Sequence, residues 1–125
     1  MFDHISIGVA DLGAARKFYD AALAPLGYSR LGEGDGWAGY GRETIGLYLL
    51  AARSPVPADP DSGLHFCLAA QSRKAVADFH AAALRGGGRD NGAPGVRSDY
   101  GPNYFAAFVI DPVGYRLEAY CAANE

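Results

Sequence analysis

Apolar and polar positions alternate from the start of the chain. In FDHISIGVADL (2–12), Ile5, Ile7 and Val9 fall on one side and His4, Ser6 and Gly8 on the other, the pattern of a half-buried strand. A helical period follows, with Ala15, Phe18, Tyr19, Ala22 and Leu23 on one stripe, Asp11 placed to cap its start and Gly27 to end it. The same signals then return. Setting HISIGVADLGAARKFYDAAL (4–23) over HFCLAAQSRKAVADFHAAAL (65–84), at a constant offset of 61, matches His4 with His65, Phe18 with Phe79 and Gly27 with Gly88. One supersecondary unit is therefore used twice. In the second copy Leu64, Phe66 and Leu68 alternate, Ser72 is the cap, Val76, Phe79, Ala83 and Leu84 form the stripe, and GGG at 86–88 stops the helix.

Three short strand patterns complete each copy: 28–31, 36–41 and 44–52 in the first, 89–92, 103–110 and 115–122 in the second. DPVG at 111–114 is a tight-turn signal between the last two. The pattern predicts an α+β fold of two βαβββ modules, each a small sheet backed by one helix. Module one takes 1–52, a Pro- and Asp-rich linker 53–63 and module two 64–125, within one domain over 1–125.

Composition narrows the function classes. A length of 125 residues suits a single core. A formal net charge of −3 gives no electrostatic case for nucleic acid or an anionic membrane as partner. No apolar run approaches the roughly 20 residues of a spanning helix, so a cytoplasmic location is expected. Cys67 and Cys121 lie in separate apolar runs and read as two buried, reduced thiols.

Strand parity then gathers the chemistry. His4 and His65 fall on the faces that the helices leave open, and Arg116, Glu118 and Tyr120 fall on that side of the last strand. Two imidazoles and a carboxylate suit a divalent metal ion, and the set does not choose among Fe, Mn, Zn and Ni. Three protein ligands leave positions for substrate oxygens, where such an ion acts as a Lewis acid. Trp37, Tyr40, Tyr48, Arg97, Arg116 and Tyr120 are the candidate substrate-binding residues, and the 91–103 loop is the candidate specificity element. Asp99, Tyr100 and Tyr104 are the candidates for proton transfer. His80 belongs to the second helix, away from this face.

The opening HISIGVADLGAARKFYDAAL, the second histidine at the head of LHFCLAA and the closing FVIDPVGYRLEAY resemble the vicinal oxygen chelate superfamily over essentially the whole chain. That group includes lactoylglutathione lyase, extradiol dioxygenases, fosfomycin-resistance transferases, methylmalonyl-CoA epimerase and bleomycin-binding proteins. The resemblance implies that the two βαβββ modules form a curved mixed β-sheet cavity with the helices on the outer face, and that metal ligands stand on the first and last strand of each module; His4, His65 and Glu118 fall on three such positions. Aligning 47–52 with 118–123 sets Leu47 at the fourth, a departure from the lyase and epimerase pattern. Phe108 stands where the dioxygenase and fosfomycin branches usually carry tyrosine, and 91–105 holds no histidine to serve as the dioxygenase acid–base group. Two functions are expected on this basis. One is a divalent-metal-dependent enzyme acting on a small, oxygen-chelating organic substrate; the other is a metal-free small-molecule-binding protein of the bleomycin-resistance type. Short members commonly dimerise, so a homodimer is expected, its cavity lying within one chain or shared between two.

Overall fold

The computed structural model describes residues 1–56 and 59–124; Pro57 and Ala58 of the expected linker, and Glu125, lie outside the described residues. The chain runs β1 (Ile5–Val9), α1 (Leu12–Leu23), a 3-10 turn (Ala24–Leu26), β2 (Ser29–Gly34), β3 (Trp37–Gly41) and β4 (Ile45–Ala51). It then repeats as β5 (Phe66–Ala69), α2 (Arg73–Arg85), β6 (Arg89–Val96), β7 (Phe105–Ile110) and β8 (Arg116–Cys121). Each half is a βαβββ module. Among the described residues the strands form two mixed sheets, ordered β1-β4-β3-β2 and β5-β8-β7-β6, with β1 parallel to β4 and β5 parallel to β8.

The helices begin where the caps predict. The Asp11 carboxylate accepts from the Ala14 backbone N–H at 3.0 Å, and the Ser72 hydroxyl accepts from that of Ala75 at 3.0 Å. Phe18, Tyr19, Ala22 and Leu23 of α1 are buried, as are Val76, Phe79, Ala82 and Ala83 of α2. Leu84, expected on the inner stripe, is exposed, and Ala82, three residues after Phe79, takes the inward position instead. Pro25 and then Gly27, at φ +82°, stop α1; Gly87, at φ +97°, turns the chain after α2.

Strand β6 runs to Val96, well past the expected 92, so half of the 91–103 segment is strand rather than loop. Pro94 lacks an N–H, and β6 can hold it because it is an edge strand with register shifts around Gly92.

Inward-facing side chains of both sheets and both helices pack into one core, which includes Ile7, Val9, Leu49, Val109, Leu117 and Ala119. Three tyrosine hydroxyls tie the modules together across it. Tyr19 donates to Asp111 at 2.6 Å, Tyr28 to the Ala69 carbonyl at 2.8 Å and Tyr115 to the Gly8 carbonyl at 2.8 Å. Asp111 also accepts from the backbone N–H groups of Val113, Gly114 and Tyr115, which closes the β7–β8 turn. With one face of each sheet committed to this core, the other face of each is left open.

Candidate functional site

The DPVG turn sets what meets on the open face of the second sheet. It pairs Ile110 with Arg116, and the antiparallel register then places Phe108 opposite Glu118 and Ala106 opposite Tyr120. On the other side of β8, Cys67 pairs with Glu118. Alternation therefore puts Arg116, Glu118 and Tyr120 in a row on one face, with Cys67 beside the middle one and His65 just before β5.

Glu118 is the centre of this face. It is only 3% exposed, and a carboxylate removed from water needs donors. Its Oε1 lies 3.2 Å from His65 Nε2, and its Oε2 accepts from the Tyr104 hydroxyl at 2.6 Å. Burial, and next the hydrogen bond to Glu118, push the Tyr104 phenol well above its ordinary value, so it is held as a donor. Its ring packs against Tyr120 with centroids 4.1 Å apart and the planes tilted by 40°, and Tyr100 meets it edge-on at 5.1 Å. Cys67 is a correction to the expectation of two buried thiols: Cys121 is buried, but Cys67 is exposed, because parity turns it to the open face. Cys67 faces Glu118 across the β5–β8 pair. Desolvation first, and then that carboxylate, push the thiol up to about 11.

His4 sits on the other sheet. Its Nδ1 is 2.6 Å from Asp3 Oδ1, and its ring meets Tyr48 edge-on with centroids 5.0 Å apart. Trp37 lies on the far side of Tyr48 at 5.9 Å. Its indole spreads over β2 only because Gly32 and Gly34 lack side chains: a Cβ on Gly34 would fall 2.2 Å from Trp37 Nε1. This face is thus a second aromatic wall, with the histidine at its edge.

The register also corrects the alignment that set Leu47 against Glu118. Ser6, the counterpart of Cys67 in the repeat, pairs with Tyr48, so Tyr48 takes the place of Glu118; Leu47 pairs with Ile5 and turns towards the core. Counting from the strand ends was off by one, and one residue reverses every side chain. Tyr40 is likewise off the open face. It is 1% exposed on the helix side and donates to Asp20 at 2.8 Å, with its phenol raised by desolvation and by that hydrogen bond.

Arg97 and Arg116 differ in what they have left to offer. The Arg97 guanidinium donates to the Gly95 and Ala93 carbonyls at 2.9 and 2.7 Å and lies over the Phe108 ring, so it braces β6. Arg116 is half-buried and has no hydrogen-bond or ion-pair partner among the described residues. Asp99 and Tyr100 are exposed beyond β6. His80 bonds Asp90 at 2.8 Å and joins α2 to β6. A cavity of about 570 Å³ lies at the β3–β4 turn, between Tyr40, Arg42 and Leu68. It touches the site only through Cys67, and its arginine is spent on the Leu26 carbonyl.

The donor set can be tested for a metal ion. Two ligands about 2.1 Å from one ion are about 3.0 Å apart at a right angle and about 3.4 Å apart at the tetrahedral angle. The 3.2 Å between His65 Nε2 and Glu118 Oε1 fits such a pair. A third donor does not join them within the chain: among the described residues no three His, Cys, Asp or Glu side chains gather to hold a metal, and His4 is on the other sheet. Tyr104 and Cys67 escaped the sequence reading as partners of Glu118. The signal for Tyr104 was the turn itself, whose register carries the open face of β7 alongside that of β8.

No family model and no curated protein matches the chain. Solved structures do. A glyoxalase/bleomycin resistance protein from Albidiferax ferrireducens T118 is 30% identical, with a TM-score of 0.81 over 96% of this chain and 97% of its own. A glyoxalase-related enzyme from Fulvimarina pelagi shares the fold at 17% identity and TM-score 0.73, over 96% of this chain and 86% of its own. So does a bleomycin-binding protein solved in complex with bleomycin, at 21% identity and TM-score 0.62, over 100% and 99%.

Proposed function

We propose, on the premise that this chain belongs to the glyoxalase/bleomycin resistance protein family of the vicinal oxygen chelate superfamily, that it is a divalent-metal-dependent enzyme acting on a small, oxygen-chelating organic molecule. His65 and Glu118 of one copy hold the ion together with His4 of a second copy. The observation that carries this reading is the His65–Glu118 pair, two donors at ligand spacing on an open sheet face beside an aromatic platform.

A bound ion supplies Lewis acidity towards the oxygens of the substrate. The chain's own groups do the rest. Tyr104 fixes one Glu118 oxygen and so aims the other at His65. Being a high-pKa phenol it acts as donor and positioning group, not as a base. Tyr120 and Tyr104 supply the surface for a flat ligand, and the Trp37–Tyr48 wall of a second copy closes over it and excludes water. A homodimer of this kind follows C2 logic: each copy lends its first-sheet face to the other's second-sheet face.

A second reading is metal-free capture of a small molecule by the same two faces. It is favoured by one observation, that both Glu118 oxygens already have side-chain partners within the chain. Metal analysis of protein purified without chelator separates the two. One ion per chain in the wild type, lost in His65→Ala, is expected. Ligand binding unaffected by EDTA, with no bound ion after metal-replete growth, would leave the capture reading in its place.

A further inference from the structure

Arg116 is the charged group on the open face that nothing in the fold explains. It stands two residues before Glu118 on β8, on the same side of the sheet, and is half-buried. Other arginines of the chain are occupied: Arg97 by two carbonyls, Arg42 by the Leu26 carbonyl, Arg30 by Asp20 and Glu33. Arg116 has no such partner among the described residues. It borders a cavity of about 240 Å³ that also meets His65, Asn91 and Phe108. A guanidinium presents a planar fork of donors that matches a carboxylate. Half-buried and unpaired at the rim of this cavity, its donors are available to a ligand.

We infer that this cavity is the subsite for the carboxylate of the ligand, bound by Arg116, and that the ligand is a small aromatic carboxylic acid. The inference rests on the open face of the second sheet being the ligand site. Position supports the acid. Arg116, Glu118 and Tyr120 are successive residues on one face, so the arginine and the tyrosine platform are about 13 Å apart at their Cα atoms. One ring that carries a carboxylate spans from the tilted Tyr104–Tyr120 pair towards the guanidinium. Charge sets the anion's size. One arginine is available and Glu118 is close by, which suits a monoanion; a phosphoryl dianion would meet that carboxylate with a single cation to offset it.

The test is calorimetric titration of the full chain, EDTA-treated and separately loaded with Zn2+, using salicylate against its neutral counterpart salicylamide, with phenyl phosphate as a third probe. In both forms salicylate is expected to bind at least tenfold tighter than salicylamide. Arg116→Met should cost salicylate at least tenfold and move salicylamide less than twofold, with an unchanged melting profile, and Arg116→Lys should recover part of the loss. Equal binding of the two probes, salicylate affinity untouched in Arg116→Met, or no binding of salicylate in either form would overturn the inference. Tighter, Arg116-dependent binding of phenyl phosphate would overturn the carboxylate assignment. Failure of the metal reading looks different: no Zn2+ loads, while the preference for the acid persists in EDTA.

Discussion

Cys67 and Glu118 make the open face of the second sheet readable one residue at a time. With EDTA present to keep the site free of metal, the Cys67 thiol stays protonated at neutral pH, and its alkylation should rise with pH towards a midpoint of about 11. The sign follows from the causes. Desolvation and the Glu118 carboxylate both disfavour the thiolate, so Glu118→Gln should shift that midpoint down. Mass-spectrometric labelling of Cys67 against pH reads it directly, and a midpoint near that of a free thiol would remove Glu118 from contact with the sulfur. The single tryptophan offers a second residue-level probe. Gly34→Ala places a methyl where the Trp37 ring lies, so the indole must leave the sheet. A changed emission maximum, with little change in far-ultraviolet dichroism, is the expected result.

Among the elements, the helices and inner strands were legible because their signals are local. Asp11 and Ser72 cap as their sequences imply, and Ile5, Ile7 and Val9 point inward as their alternation implies. Replacing either cap by Ala should cost about 1 kcal/mol, measured by urea unfolding. What was not legible depends on pairing between strands. Leu47 and Tyr48 are both apolar enough to be turned inward, and only the register with β1 decides between them. Tyr40 belongs to a strand whose other face carries Trp37, and a two-residue period with aromatics on both faces gives no sign of which is inner. The sequence places Tyr104 in the 103–110 strand and among the proton-transfer candidates, but its link to Glu118 runs through the β7–β8 register, which the sequence does not show. For Cys67 composition favours burial, while parity places it on the open face.

At the level of the whole molecule, the two modules behave as one folding unit because their bonds cross a common core. Tyr19 of α1 is buried and donates to Asp111 of the β7–β8 turn. Tyr19→Phe leaves one oxygen of that buried carboxylate without its donor and should destabilise the fold by about 1–3 kcal/mol. Thermal unfolding should remain a single transition at a lower midpoint. Separate melting of the two halves would contradict a shared core.

The same architecture keeps His4 away from His65 and Glu118 within one chain, and a site drawn from two copies follows from it. Co-expressing His4→Ala with Glu118→Ala in equal amounts tests this directly. Each variant alone should hold no stoichiometric metal. In a random mixture half of the dimers are mixed, and each mixed dimer carries one intact site of two, so metal should return to about one quarter of all sites. Metal in the mixture no higher than in either variant alone, beside a wild type that holds one ion per chain, would contradict a site shared between copies.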